Sequence, residues 1–373
     1  MRNAIKEYVE YSGEDKKNIW NSATFVFDTN VFLNLYRYSN NTRDQLIKAL
    51  ESLTPRIWMP YQVALEFCKD RYKVINEVNK RFEKLGEEAN SLIKTWRNEL
   101  HLDKNDQDME QLCAYLKDWM DKKKENSYRY FDTINDDIFN TLLELFDGKT
   151  GKAFSSEEIV KIEKEGDKRF DDKTPPGYKD HNKRDNKYGD LLVWKEILCY
   201  AKSNQEDIIF VTQDQKEDWW NIQFGKTIGP RIELRKEFNE ETGKMFHMYS
   251  MTSFLSYAAG FESTFIDKTT IDEVELFNSV MKKKASRMEL KEYFDSLDNK
   301  SERTAARIRF KIANIERKNK KRRYSISTLS HKEKQGKLTQ GEKIALQRNQ
   351  ENLISGENQL ELLKTQLMEM TDL

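Results

Sequence analysis

The sequence predicts an α/β fold with a mainly parallel central sheet flanked by helices, carrying a long helical insertion and ending in a C-terminal helical hairpin or coiled coil. Three observations predict it. Four short apolar runs read as strands, helical periodicity follows each of them, and two regions keep heptad spacing over lengths that no sheet-covering helix needs. At 373 residues the chain is long enough for one large core plus an appendage, or for two modest domains.

The strands are Thr24–Phe27 and residues 56–59, 207–212 and 245–249, each β-branched or aromatic. Leu33, Leu46, Ile47 and Leu50 mark helix after the first strand. Residues 191–201 read as a buried helix before the third, and Asp218, Trp219 and Trp220 as the start of a helix after it. The fourth strand and a helix at 253–259 close the domain near residue 262. Between the second and third strands, Ile75, Val78, Phe82, Leu85, Ala89, Leu92 and Trp96 alternate spacings of three and four, which predicts one helix over 62–100. At ~1.5 Å per residue it would be roughly 55–60 Å long. Met109, Leu112, Leu116 and Trp119 mark a return helix, and Ile134, Ile138, Leu142 and Leu145 a third. The expectation is therefore a domain over 1–262 with its insertion at about 70–175, then a basic extension over 263–373.

In that extension Ala305, Ile308, Ile312 and Ile315 mark one helix. Leu346, Leu353, Leu360 and Leu367 recur every seven residues in another, with Leu363 and Met370 in the alternate seam positions and Asn349 and Gly356 weakening it. Either an internal hairpin or a coiled coil to a partner chain, a second copy included, fits the pattern. Between the two helices, residues 317–323 hold six cations in seven positions, which predicts an exposed basic link. Formal net charge is zero, but basic residues exceed acidic ones beyond residue 270 and fall short of them before it.

Composition excludes several classes. Cys68, Cys113 and Cys199 form no CxxC pair, and His101, His181, His247 and His331 do not cluster with them, so neither a zinc site nor a disulfide framework is expected. No run of about 18 apolar residues and no basic-then-apolar leader is present, so the expectation is a soluble, cytoplasmic protein without a membrane partner.

The residues with chemistry to offer are acids at strand ends. Asp28 directly follows the first strand and Asp214 the third, and in open α/β sheets ligands bind outside the carboxyl ends of the strands. Glu66 lies about one turn into the helix after the second strand, and Asp190 opens a helix after Gly189. Singly, each has a plainer account as a cap, a turn residue or a solvated helix residue. Together they place four carboxylates at equivalent edges of one sheet. Thr29, Asn30 and Thr212 stand beside them, able to orient ligands or simply to bond the strand-exit backbone. Lys183, Arg184 and Lys187 precede the Gly189-Asp190 pair, and Arg231 lies in a Gly-Pro-Arg turn. With Arg317, Lys318, Lys320, Lys321, Arg322 and Arg323 they are the candidate nucleic-acid contacts, solvation being the alternative at each.

The segments FVFDTNVFLNLYRYS, PYQVALEF, YGDLLVWKEI and IIFVTQDQKEDWW, in that order, resemble the successive motifs of a PIN-like domain family found mostly in bacteria. GPRIELRKEF and MFHMYSMTSFL fit its closing elements. The resemblance covers residues 20–260 approximately. It implies an α/β/α nuclease fold with an acidic metal site, and by motif position Asp28, Glu66, Asp190 and Asp214 as metal ligands and catalytic residues, with Asp218 supporting them. Converging carboxylates need a cation between them, and hard oxygen donors select Mg²⁺ or Mn²⁺. The implied activity is phosphodiester hydrolysis, on RNA before DNA, with tRNA or mRNA as targets in a toxin or antiphage role. A structure-specific DNA nuclease and a non-catalytic nucleic-acid-binding scaffold remain the alternatives.

Overall fold

The structure, a computed structural model, describes residues 6–103, 106–127, 136–183, 185–261, 266–295 and 300–371. Its elements run α1 (Gly13–Ser22), β1 (Thr24–Phe27), α2 (Thr29–Asn34), α3 (Asn40–Ser52), β2 (Ile57–Trp58), α4 (Tyr61–Glu99), α5 (Gln107–Ser127), α6 (Asp137–Leu145), α7 (Ser156–Asp171) and α8 (Gly189–Asn204). They continue with β3 (Ile208–Thr212), β4 (Trp220–Gln223), β5 (Lys226–Pro230), α9 (Ile232–Thr242), β6 (Phe246–Ser250), α10 (Met251–Phe261), α11 (Lys268–Asp295), α12 (Lys300–Lys334) and α13 (Gln340–Thr371). The chain divides into two compact units, Met1–Asn278 and Ser279–Leu373.

In the first unit the four expected strands form one sheet in the order β2-β1-β3-β6, every neighbour parallel. All residues of β1 and β3 are buried, as a parallel sheet covered on both faces requires. On one face Trp20 of α1 meets Phe25 edge-on at 5.0 Å and Phe254 of α10 at 5.7 Å. On the other, Trp194 of α8 meets Phe246 at 5.0 Å and Tyr200 stacks on Trp58 at 4.2 Å. The chain leaves β1 towards β2 on one side and leaves β3 towards β6 on the other. The crevice between these diverging connections opens at the carboxyl ends of the two central strands.

The predicted long helix is α4, 39 residues without a break. Its first half is tied to the core by a buried ion pair, Arg71 Nη1 to Asp136 Oδ2 at 2.8 Å, and Tyr36 donates to the same carboxylate at 2.7 Å. Farther out the heptad stripe is not buried: Leu85 and Leu92 remain 54% and 53% exposed beside the returning α5. The third helix of the insertion, α6, instead sends Ile138 and Leu142 into the main core; Ile134, expected in that helix, lies outside the described residues.

Two elements depart from expectation. Residues 218–220 do not begin a helix. Trp220 starts β4, which pairs antiparallel with β5 through a turn in which Phe224 and Gly225 take φ of 52° and 76°. A further helix, α7, opens at Ser155 with a reciprocal capping box to Glu158 and packs on α8. There Gly166 passes so close to Tyr188 that a Cβ would lie 2.7 Å from its ring.

The second unit contains an antiparallel hairpin of α12 and α13 within the one chain. Leu346 and Leu363 are buried and Leu353, Leu360 and Leu367 half-buried along the seam. Residues 317–323 are not a link between helices. They sit in the middle of α12, and the turn comes at Gly336, whose φ is 67°. Lys and Arg are good helix formers, so a dense run of them need not end a helix. Arg323 pairs with Glu357 of α13 at 2.7 Å, and Arg322 donates to the Asn352 carbonyl at 2.8 Å. Arg317, Lys318, Lys320 and Lys321 are exposed. Among the described residues no helix is long and apolar enough to cross a membrane.

Candidate active site

Asp28 is the first residue past β1 and the N-cap of α2, and its N–H still bonds the Val211 carbonyl at 2.9 Å, continuing the ladder to β3. Thr212 Oγ1, from the last residue of β3, donates to Asp28 Oδ2 at 2.6 Å and accepts the Asp214 N–H at 2.9 Å. One hydroxyl thus locks the two strand-end acids together. Asn30 Nδ2 adds a second bond to Asp28 Oδ2, at 3.1 Å. Burial, reinforced by the charges of Asp214 and Glu66, pushes the Asp28 carboxyl up to about 6 against the opposing Thr212 bond.

Glu66 reaches the same crevice from α4. Its Oε2 accepts from Thr29 Oγ1 at 2.8 Å, and its Oε1 accepts from Gln62 Nε2 and Asn186 Nδ2 at 2.8 and 2.7 Å. The helix carrying it starts behind a proline N-cap that supplies no side-chain bond; the buried carboxylate of Glu196 on α8 caps it instead, accepting the Gln62 N–H at 3.1 Å. Burial raises Glu196 to about 7.

Asp190 stands in the first turn of α8. Trp219 Nε1 donates to its Oδ2 at 3.3 Å, and burial, with the charges of Asp214, Asp180 and Asp28, raises its carboxyl well above the ordinary range despite Lys216. Asp28, Asp190 and Asp214 therefore sense one another, and Asp28 senses Glu66, so the four acids the sequence singled out share one crevice.

Lys216 and Asp180 were not singled out. Lys216 Nζ lies 3.1 Å from Asp214 Oδ2, 3.9 Å from Asp190 Oδ2, and 2.9 and 3.0 Å from the two oxygens of Asp180. Its backbone N–H also donates to Asp214 Oδ1 at 2.8 Å. Burial works against the ammonium, but Asp190, Asp214 and Asp180 outweigh it and hold the lysine above its usual range. Asp180 arrives on a 3-10 turn, Tyr178–Asp180, capped by Gly177 at φ 89°. A Cβ on Gly177 would lie 3.3 Å from the Asp190 Cβ, so glycine brings the turn this close. Lys216 lies inside the IIFVTQDQKEDWW segment and Asp180 in none of the quoted segments. Lys216 looks like part of a polar turn and Asp180 like a loop acid.

Asp218 is fully buried and accepts the Lys179 N–H at 3.1 Å, pinning that turn from below; burial raises its carboxyl. The candidate cations are largely paired. Lys183 bonds Asp180 at 2.6 Å, Lys187 bonds Asp167 at 2.7 Å, and Arg231 bonds Glu233 at 2.6 Å. Arg184 lies outside the described residues. Trp219 and Trp220 are 2% and 6% exposed and belong to the core.

As arranged, no three His, Cys, Asp or Glu side chains among the described residues stand as a ligand set for one metal ion. Hydroxyl, amide and ammonium donors engage the acids instead. The donor set nevertheless fits a hard divalent cation. Its donors are carboxylate oxygens; burial first, and the neighbouring acids after it, raise the Asp28 and Asp190 carboxyls, and a cation would favour their charged forms.

A parallel sheet with acids gathered at the carboxyl ends of its central strands defines an α/β domain with its candidate site where open sheets bind ligands. The model of the PIN-like domain family matches residues 24–234, more than half of the chain, and the protein belongs to that family. PIN-like domains are generally nucleases and typically use divalent metals. No curated protein and no solved structure matches the chain.

Proposed function

We propose that the protein is a metal-dependent endonuclease that hydrolyses phosphodiester bonds, RNA in preference to DNA. The observation that carries this reading is the convergence of Asp28, Glu66, Asp190 and Asp214 from four separate elements on one crevice, with Thr212 bridging two of them. The RNA preference, and a toxin or antiphage role, rest on the family resemblance alone.

In this reading acids of this crevice would hold Mg²⁺ or Mn²⁺, which would supply electrostatic stabilisation for the charge that develops on the phosphate. Thr212 and Asn30 both converge on Asp28 Oδ2 and so turn Oδ1 towards ion or water. Thr29, Gln62 and Asn186 fix the Glu66 carboxylate in one orientation, so little reorganisation is needed when substrate arrives. No side chain need act as a nucleophile; water attacks. Lys183, paired with Asp180 at 2.6 Å, is a candidate phosphate contact.

The test is cleavage of labelled RNA and DNA by the full chain with Mg²⁺, Mn²⁺ or EDTA, beside Asp28→Asn and Asp214→Asn. The expected result is RNA cleavage that EDTA and either substitution abolishes. Cleavage that survives chelation and both substitutions overturns the reading. Cleavage confined to DNA moves the substrate, and salt-sensitive binding of either polymer without cleavage favours the scaffold alternative.

A further inference from the structure

The acids of the crevice are not treated alike. Among the described residues, the hydrogen bonds to the Asp28 and Glu66 carboxylates come from neutral donors, namely Thr212, Asn30, Thr29, Gln62 and Asn186. Asp190 and Asp214 face a full positive charge, the Lys216 ammonium, 3.9 and 3.1 Å from their Oδ2 atoms. That ammonium is anchored from outside the four-acid set. Asp180 grips it with both carboxylate oxygens, and only 8% of the Asp180 side chain is exposed. Swinging Lys216 away would take the partner from Asp180 Oδ1 and leave that buried carboxylate to Lys183, which holds Oδ2 at 2.6 Å. The lysine is built in.

We propose that Lys216 is a resident cation standing where a second metal ion would bridge Asp190 and Asp214, so that this site takes up one divalent ion rather than two. The inference rests on the reading of the crevice as a metal-dependent nuclease site. In two-metal sites the ions lie about 3.5–4 Å apart. An ion shared by Asp190 and Asp214 would have to enter the space that Nζ holds. A divalent ion beside a fixed ammonium also repels it, and in a partly desolvated crevice that repulsion is not screened away. The remaining ion is left to the Asp28 and Glu66 side, where among the described residues no ion pair engages the carboxylates. Lys216 then acts as a positioning residue. It holds Asp214 from both sides, by Nζ at Oδ2 and by its own N–H at Oδ1.

The test counts ions rather than turnover. The full chain, stripped with EDTA and dialysed, is titrated with Mn²⁺ while the free-ion signal is followed by electron paramagnetic resonance. The expected count is one ion per chain for the wild type and for Lys216→Arg, rising to two for Lys216→Met. Two ions on the wild type overturn the proposal and leave the nuclease reading standing. One ion on Lys216→Met, bound tenfold or more tightly than by the wild type, overturns it too, because the lysine would then be competing for the first position. No ion on the wild type removes both the proposal and the metal-dependent reading beneath it. If Lys216→Met does not fold, Lys216→Gln replaces it, and the wild-type count decides in either case.

Discussion

The two halves of the acidic crevice solve the same problem in different ways. Around Asp28 and Glu66, carboxylates from β1 and α4 are steadied by hydroxyl and amide groups that leave their charge uncancelled. Around Asp190 and Asp214, carboxylates from α8 and the β3 exit are steadied by an ammonium that cancels part of it. The first arrangement keeps charge available for a ligand, and its cost is visible in the elevated Asp28 carboxyl. The second is self-contained. Orientation and charge compensation are thus separate tasks in this crevice, given to different residue types.

Substitutions that remove one task at a time break the comparison apart. Asp28→Asn and Asp214→Asn keep the shape of each half and remove a charge; each is expected to lower cleavage by about 10³-fold, read as single-turnover rates. Asp180→Asn attacks only the ammonium half. Lys216 loses its anchor, so thermal unfolding should reveal a loss of about 3 kcal/mol, with cleavage down about 10–100-fold. If Asp180→Asn is as stable as the wild type, the ammonium half is not self-contained. Thr212→Val removes the bridge between the halves while keeping the side-chain volume. The expected cost is about 1.5–3 kcal/mol in denaturant unfolding, because a bond to a carboxylate is lost and the Asp214 N–H is left unpaired.

An effect read against pH lies behind the neutral half, at Glu196. Its carboxyl is raised from an ordinary 4.5 to about 7 in the folded chain. Between those values the unfolded chain has released the proton and the folded chain still holds it. Stability therefore falls as pH climbs from about 4.5 to 7 and levels off above that. Glu196→Gln should flatten this part of the stability profile while keeping an oxygen to cap α4; an unchanged slope would assign it to other groups.

How much of this was legible depends on what each residue must do. The strands β1 and β3 are nearly continuous apolar runs because both faces of the sheet are covered, and that leaves a plain trace in the sequence. The length of α4 was legible from its heptads, although part of that stripe turned out exposed. The β4–β5 hairpin was not, since its turn uses Phe224-Gly225 where Asn-Gly or Asp-Gly would have signalled it. The capping box at Ser155 was a usable signal for α7 that its polar composition masked. Within the crevice, Asp28 and Asp214 could be read from strand ends, whereas Glu66 and Asp190 needed the family resemblance. Lys216 lies inside the IIFVTQDQKEDWW segment, but nothing there shows its role, and Asp180 lies in no such segment. Their meeting depends on a glycine turn and on long-range packing, and neither leaves a periodic mark.

The hairpin of α12 and α13 holds a notch with a consequence of its own. Asn319, 2% exposed in the middle of α12, lies against Gly356 of α13, where a Cβ would come within 2.4 Å of its Oδ1. A slide of one heptad would bring Leu363 or Asn349 opposite Asn319 and would press Ile312 or Ile326 towards the glycine. Only one alignment seats both residues, so the pair works as a key in its keyway. It fixes how far each helix extends past the other, and hence which cations of residues 317–323 face Glu357 and which face water.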